Sequence, residues 1–351
     1  MRLERIVPGR RPPDGLAGAV LTRDLLVAGQ RWSKGRRLAP ADLEALAAVE
    51  PAALGVAAVT VIVPGPEDLH EDDAALRLAS AVAGPGLERR GPGESRVDLL
   101  AAAPGVLHVR ARELELLDRI DPLEVFTALD GSVVRAGQLV ASVKVAPHVV
   151  PASIVEAGER IAHRGRRPLI WVAPFVAMRV GVLVKESLRA GDRARFEGSV
   201  RGKVESLGSS IAGFSYVADE EDAVTTALEA LTRGPAAVDV VLTAGGRSTD
   251  PSDPFFVALD RVRGRLVRRG VPAHPGSMLW LGRVGRTAVL GLPTCGAYSK
   301  ATAADLLLPR LLTGEPPSLR TVSRLGHGGI LTRDMRFRFP AYARELDAPD
   351  G

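Results

Sequence analysis

A single cysteine, Cys295, occurs among the 351 residues of the chain. One cysteine can neither close a disulfide within the chain nor build a cysteine-based metal site. Aromatic residues make up only 4% of the sequence, and it has no uninterrupted apolar run of the roughly 18 residues that a transmembrane helix requires. The sequence therefore excludes a disulfide scaffold and predicts no membrane association.

Lysine is also scarce, since only five of the 46 basic residues are lysines, and the formal net charge is just +5. Nucleic-acid-binding proteins usually carry a longer basic stripe together with aromatic side chains on which bases stack. This sequence has neither feature, so we expect no nucleic-acid partner. Its mildly positive charge suits a small anionic ligand equally well. The N-terminal stretch lacks the apolar core of a signal peptide, so we expect a cytoplasmic protein.

The 46% of hydrophobic residues can build a substantial core, and the length suggests about two or three domains. From Leu169 onward, strand and helix patterns alternate, which is typical of an α/β domain. We predict three layers, with a mostly parallel sheet between helices, after a smaller α+β or β-rich N-terminal region. The predicted segments are a small N-terminal α+β unit (1–65), a β-rich or α+β middle domain (66–168), the α/β domain (169–314) and a C-terminal tail (315–351).

The stretch that begins at Ala236 carries the strongest local signals. The β-branched run from Val238 to Leu242 predicts a buried strand, and Gly245-Gly246 predicts a turn after it. Asp253 before Pro254 indicates a helix start, an N-cap followed by proline at the first helical position. A strand, a glycine turn and a helix N-terminus together favour an anionic ligand, although many such turns bind nothing.

Three segments should lie at one edge of the predicted sheet. They follow Val184, Val217 and the strand before Gly245. In open α/β sheets, ligands bind outside the carboxyl ends of the strands. We expect Asp219, which lies in the second of these segments, to cap the helix that follows it.

The order of these features resembles a known family. Four features occur in the same order as in the molybdopterin-binding domain of molybdenum-cofactor biosynthesis proteins. They are the TAGG turn, Asp253 seven residues after the second glycine of that turn, the Pro275-Gly276 turn and a GLP sequence before a helix. The resemblance covers about residues 171–314. It extends to the gephyrin-like molybdopterin molybdenumtransferases and to the molybdopterin adenylyltransferases. The ADEEDAV segment around Asp219 is similar to the family's acidic turn.

The resemblance implies a pterin ligand, molybdopterin, at the carboxyl ends of the strands, with Mg²⁺ and molybdate if the protein is catalytic. It implies Asp253 as a catalytic group and a metal ligand, and we expect Glu186 to replace a second catalytic aspartate that this sequence lacks. Backbone amides, hydroxyls and basic side chains would then hold the terminal phosphate. The residues that we predict to bind the ligand are Gly245, Gly246, Arg247, Ser248, Thr249, Pro275, Gly276, Pro293, Thr294, Ser299 and Lys300.

The sequence departs from the family at three places. The threonine-glycine-aspartate turn of the molybdenumtransferases is replaced by Lys185-Glu186-Ser187. Thr294-Cys295-Gly296 stands where the family has glycine-asparagine-proline. The proline-glycine turn continues with Ser277 instead of lysine. Pterin binding tolerates such changes more easily than metal insertion does, because catalysis depends on placing groups to within about an ångström.

We therefore expect a molybdopterin-binding protein of molybdenum cofactor biosynthesis or handling, which as an enzyme would insert molybdate. The alternatives are a non-catalytic carrier or sensor of the cofactor, and a related domain that binds another phosphorylated small molecule. The resemblance further implies a homo-oligomer. It also implies other molybdenum cofactor proteins or a molybdoenzyme as partners.

Overall fold

The computed structural model of the chain describes residues 1–185, 189–245, 250–292 and 301–345. Contacts within the chain divide it into two compact units. The first comprises residues 1–102, 108–130 and 136–172, and the second comprises residues 103–107, 131–135 and 173–351. The four segments predicted from the sequence stay a prediction.

The first half of the chain is rich in short strands. Its strands are β1 (Arg2–Ile6), β2 (Val20–Leu21), β3 (Leu25–Val27), β4 (Gln30–Trp32), β5 (Val59–Val63), β6 (Asp68–His70), β7 (Leu87–Gly93), β8 (Arg96–Ala101), β9 (Gly105–Val109), β10 (Leu123–Thr127), β11 (Val133–Val134), β12 (Leu139–Val145), β13 (Val149–Pro151) and β14 (Ile170–Pro174). Its helices are α1 (Pro40–Ala48), α2 (Pro51–Leu54), α3 (Glu71–Val82), α4 (Ala111–Asp118) and α5 (Ala152–Ala162). Antiparallel pairing joins β1, β5 and β2 in one sheet and β10, β12, β8 and β7 in another.

Helix α3 packs through one apolar face and has a capped, acidic N-terminus. Its apolar face, formed by Ala75, Leu78, Ala79 and Val82, is fully buried, and the helix packs against β8 and β12. The helix begins after His70, whose Nδ1 accepts a hydrogen bond from the amide of Asp72 at 3.1 Å. Acidic residues fill the first turn, where the helix dipole favours negative charge.

The second unit continues with a regular alternation of strands and helices. Its strands are β15 (Arg179–Val184), β16 (Ser210–Tyr216), β17 (Val240–Ala244), β18 (Arg265–Arg269), β19 (Trp280–Val284) and β20 (Thr287–Gly291). Its helices are α6 (Ala190–Glu205), α7 (Glu221–Thr232), α8 (Pro254–Arg261), α9 (Ala304–Leu311), α10 (Leu319–Ser323) and α11 (Ala341–Glu345), with 3-10 helices at Arg324–Gly326 and Arg333–Arg338. None of the helices in the described ranges is long and apolar enough to cross a membrane.

A six-stranded sheet with the order β16-β15-β17-β20-β19-β18 forms the centre of this unit. The first four strands pair in parallel. The remaining pairings are antiparallel: β19 and β20 form a hairpin that turns at Gly285, and β18 pairs with β19. The prediction of a mostly parallel sheet is confirmed.

Helices cover both faces of the sheet, as the three-layer prediction requires. Along β15, Val182 and Val184 belong to a core that includes residues of α6 and α9. Leu183, between them, points to the opposite face and joins a core with residues of α7 and α8. This alternation follows from the two-residue period of a strand, and both faces are apolar because both are covered.

Gly291, at the end of β20, provides a test of this packing. A Cβ atom there would lie 1.9 Å from Nε1 of the buried Trp280. We expect Gly291→Ala to lower the free energy of unfolding by about 1–3 kcal/mol, because the tryptophan must move within a packed core. Gly198→Ala is the control, since no atom lies within 4 Å of the new Cβ. It should raise the free energy of unfolding by up to about 1 kcal/mol, because alanine favours the helix. Urea unfolding of both variants measures the difference, and equal effects would contradict this packing.

Candidate functional site

The parallel strands end at a common edge of the sheet. Val184 pairs with Tyr216 on one side and with Ala244 on the other, and Thr243 pairs with Gly291. The segments that follow these strands therefore leave from the same, carboxyl edge. This confirms the predicted grouping of the segments after β15, β16 and β17.

Lys185 lies at the centre of this edge, directly after β15. Its side chain is only 3% exposed. The ammonium Nζ donates to Oδ1 of Asp219 at 2.8 Å and to Oδ2 of Asp253 at 3.0 Å. It also lies 5.2 Å from the centre of the Phe255 ring. One buried ammonium thus joins two carboxylates that come from different loops.

Asp253 performs the structural role that the sequence predicted. Its Oδ1 accepts a hydrogen bond from the amide of Phe255 at 2.9 Å, and Pro254 occupies the first turn of α8. The other oxygen faces Lys185, so both carboxylate oxygens have protein partners. The catalytic and metal-binding roles of Asp253 stay predictions.

The predicted capping role of Asp219 is wrong. Helix α7 begins at Glu221, with Glu220 at the N-cap position and no capping hydrogen bond from its side chain. The Asp219 carboxylate turns to the ammonium of Lys185 instead. The carboxylate contacts the ammonium and does not cap α7, because a hydrogen bond to a buried charge is stronger than one to a neutral amide. The first turn of α7 still carries negative charge, because Glu221 and Asp222 lie there.

Gly245, directly after β17, has a conformation that suits glycine. Its φ is +93°, a region that residues with a side chain avoid. The amide of Lys185 donates to the carbonyl oxygen of Ala244 at 3.2 Å, which ties the two loops together. The predicted glycine turn thus starts next to a backbone contact with Lys185.

Pro275 and Gly276 lie against the start of α9. The amide of Ala303 donates to the Pro275 carbonyl at 3.0 Å. A Cβ on Gly276 would come within 3.0 Å of the Ala303 nitrogen and of Thr302, so the backbones approach closely there. This turn therefore fixes the segment that precedes α9.

The remaining residues predicted for the site fall outside the described residues, and their roles stay predictions. They are Glu186, Gly246, Arg247, Ser248, Thr249, Pro293, Thr294, Ser299 and Lys300.

A second polar cluster at the end of β16 was not predicted from the sequence. The Tyr216 hydroxyl donates to Oε1 of Glu197 at 3.0 Å, and the Arg193 guanidinium lies 3.9 Å above the tyrosine ring. Burial, and then the hydrogen bond to Glu197, raise the pKa of Tyr216 to about 12. The phenol therefore stays a neutral donor at physiological pH.

The role of Lys185 was also missed, although the sequence carried a signal for it. A lysine directly after a buried strand lies where ligands bind in parallel sheets. The sequence does not show that the two carboxylates are near, because they lie 34 and 68 residues away along the chain.

A cavity of about 350 Å³ opens elsewhere in this unit, between α8 and β18. Its lining includes Phe256, Asp260 and Arg269 and does not include Lys185 or either of its carboxylate partners. The described part of the chain contains no group of three or more His, Cys, Asp or Glu side chains that could hold a metal ion. Among the described residues, we therefore place the candidate site at the carboxyl edge around Lys185.

Part of the chain matches a known protein family. Residues 196–313, about a third of the chain, match a family described as "Probable molybdopterin binding domain". The match includes Asp219 and Asp253 and begins after Lys185. It confirms the resemblance inferred from the sequence over this range. A search among curated proteins found no match to the chain.

Several solved structures are also similar to this chain. One is the molybdopterin biosynthesis enzyme MoaB from Thermus thermophilus, with 22% identity, a TM-score of 0.30 and coverage of 40% of this chain and 98% of that chain. Another is a molybdenum cofactor biosynthesis protein B, with 15% identity, a TM-score of 0.30 and coverage of 44% and 98%. A third is the molybdopterin biosynthesis MoeA protein from Pyrococcus horikoshii, with 15% identity, a TM-score of 0.29 and coverage of 74% and 81%.

The two carboxylates around Lys185 should differ in their effect on stability. Asp253 has a side chain only 5% exposed, whereas the side chain of Asp219 is 60% exposed. We expect Asp253→Ala to lower the free energy of unfolding by about 3–5 kcal/mol, because it removes a helix cap and one partner of a buried ion pair. Asp219→Ala should cost about 1 kcal/mol or less, since water screens that side of the pair. Urea unfolding measures both values, and similar losses would contradict the asymmetry.

Proposed function

We propose that this protein binds molybdopterin in the biosynthesis or handling of the molybdenum cofactor. The proposal starts from the match of residues 196–313 to a probable molybdopterin-binding domain. The observation that carries the proposal is the convergence of Lys185, Asp219, Asp253 and Gly245 at the carboxyl edge of a parallel sheet. Ligands of open α/β sheets bind at this edge.

The chemistry of the ligand suits this edge. Molybdopterin ends in a phosphate, which favours backbone amides at glycine turns and at helix starts. Gly245 opens one such turn, and the chain after β20 leaves from the same edge. We therefore place the phosphate at residues 245–249 or 293–300, where the sequence predicts hydroxyl and basic side chains. A homo-oligomer and partners among other molybdenum cofactor proteins remain proposals from the family resemblance.

The protein fits cofactor binding and handling better than insertion of molybdate. The two oxygens of Asp253 already accept hydrogen bonds from Phe255 and Lys185. A carboxylate engaged in this way is a poor candidate for a general base or a metal ligand. Insertion of molybdate, as in a molybdenumtransferase, is therefore the second candidate.

Two glycines that flank β17 provide a matched test of pterin binding. Gly245 follows the strand at the carboxyl edge, and Gly234 precedes it at the opposite edge, both with positive φ. We expect Gly245→Ala to weaken molybdopterin binding about tenfold or more, since strain of about 1–2 kcal/mol would reshape the turn. Gly234→Ala carries similar strain and should leave binding unchanged.

Equilibrium binding of molybdopterin to the full chain measures both variants, with urea unfolding as the check that their stabilities are similar. Absence of binding by the wild-type protein would overturn the proposed function. Equal loss of binding in both variants would overturn the placement of the site at the carboxyl edge.

A turnover assay separates handling from insertion. The wild-type protein, Asp253→Asn and Glu186→Gln are each incubated with molybdopterin, molybdate and Mg-ATP. We expect the wild-type protein to bind the pterin and to leave molybdate and ATP unconsumed, because the Asp253 carboxylate is engaged. Consumption of molybdate that both substitutions abolish would instead establish an insertase.

A further inference from the structure

The position of Lys185 is unusual for a lysine at the edge of a sheet. Its side chain is 3% exposed, although the chain leaves the sheet at this point. Removing an ammonium from water is costly unless opposite charges and hydrogen bonds replace the water. Asp219 and Asp253 supply both, at 2.8 and 3.0 Å, and the face of the Phe255 ring adds a cation–π contact. The three charged groups therefore form one hydrogen-bonded unit, in which the ammonium neutralises part of the charge of the two carboxylates.

The ammonium lies where a divalent cation would have to bind. Mg²⁺ prefers oxygen ligands at about 2.0–2.1 Å. A metal ion held jointly by Oδ1 of Asp219 and Oδ2 of Asp253 would thus come into contact with Nζ, which carries the same sign of charge. Lys185 and a bridging metal ion exclude one another at this position.

The remaining coordination also does not suit Mg²⁺. The second oxygen of Asp253 accepts from the Phe255 amide, which is part of the α8 cap. Among the described residues, no third His, Cys, Asp or Glu side chain joins these two carboxylates in a possible metal-ligand group. A magnesium ion, which the family resemblance allowed for, does not fit between these two carboxylates.

We infer that Lys185 is the resident cation of the ligand site, and that this protein binds its anionic pterin without a divalent metal ion. The inference rests on the proposed function for the identity of the ligand. Lys185 neutralises part of the charge of the two carboxylates, which lowers the repulsion that they would exert on an anionic ligand at this edge. A metal-dependent transfer reaction has no place for its metal ion at these two carboxylates.

Removal of the lysine side chain should convert the edge into a metal site. We expect Lys185→Met to bind one Mn²⁺, a spectroscopic substitute for Mg²⁺, at least about tenfold more tightly than the wild-type protein, because two close carboxylates lose their counter-ion. Electron paramagnetic resonance of Mn²⁺ titrated into the full chain measures this gain. Asp219→Asn in the Lys185→Met background should abolish it.

Lys203→Met is the matched control. Lys203 is also a buried lysine, paired with the buried Asp305, whose other oxygen accepts from the Thr302 amide at 2.9 Å. This substitution likewise removes a buried cation but frees only one carboxylate oxygen. It should not create a Mn²⁺ site, and an equal gain in both variants would overturn the inference.

The wild-type protein provides a measurement that does not depend on whether the variants fold. Molybdopterin binding with excess EDTA and with excess Mg²⁺ should agree to within about twofold. Loss of binding in EDTA, or a Mn²⁺ site in the wild-type protein that Asp253→Asn removes, would overturn the inference.

The Mn²⁺ measurements need no pterin, so the two proposals can fail separately. If Lys185→Met gains a Mn²⁺ site but the wild-type protein does not bind molybdopterin, the role of Lys185 as the resident cation stands and the proposed ligand is rejected. Pterin binding by a wild-type protein that requires Mg²⁺ would retain the proposed function and reject the role of Lys185.

Discussion

The register between three parallel strands determines the site. Because Val184 pairs with both Tyr216 and Ala244, the strands β15, β16 and β17 end at the same level. A shift of one residue would turn Val182 and Val184 away from their core and Leu183 away from the opposite one. The apolar pattern on both faces thus fixes the register, and the register brings the loops with Lys185, Asp219 and Gly245 together.

Two buried lysines stabilise different parts of this unit. Lys185 joins the loops at the carboxyl edge, whereas Lys203 of α6 pairs with Asp305 at the start of α9. Asp305 also accepts from the Thr302 amide, next to the residues on which the Gly276 turn packs. Removing one partner of a buried pair leaves an uncompensated charge, so each pair holds its elements in one arrangement. The second pair thereby positions the chain that approaches α9.

The family match and the chain's own residues carry different information about function. Residues 196–313 match a molybdopterin-binding domain, and this range contains both carboxylates. Lys185 lies before the matched range, where the sequence departs from the threonine-glycine-aspartate turn of the molybdenumtransferases. The domain therefore supports the identity of the ligand, while the lysine decides what the two carboxylates can do. The proposed function is therefore binding and not metal-assisted transfer, because an ammonium and a helix amide already engage the oxygens of Asp253.

The sequence by itself determined the features that depend on neighbours along the chain. The buried strand after Val238, the Asp253-Pro254 helix start and the positive-φ turn at Gly245 follow from periodicity, capping and the missing side chain of glycine. Only the tertiary structure decided the partners of Asp219, which the sequence placed in a cap. Its hydrogen bond spans 34 residues, and that of Asp253 to Lys185 spans 68. Such contacts depend on the strand order of the sheet, which no local pattern contains.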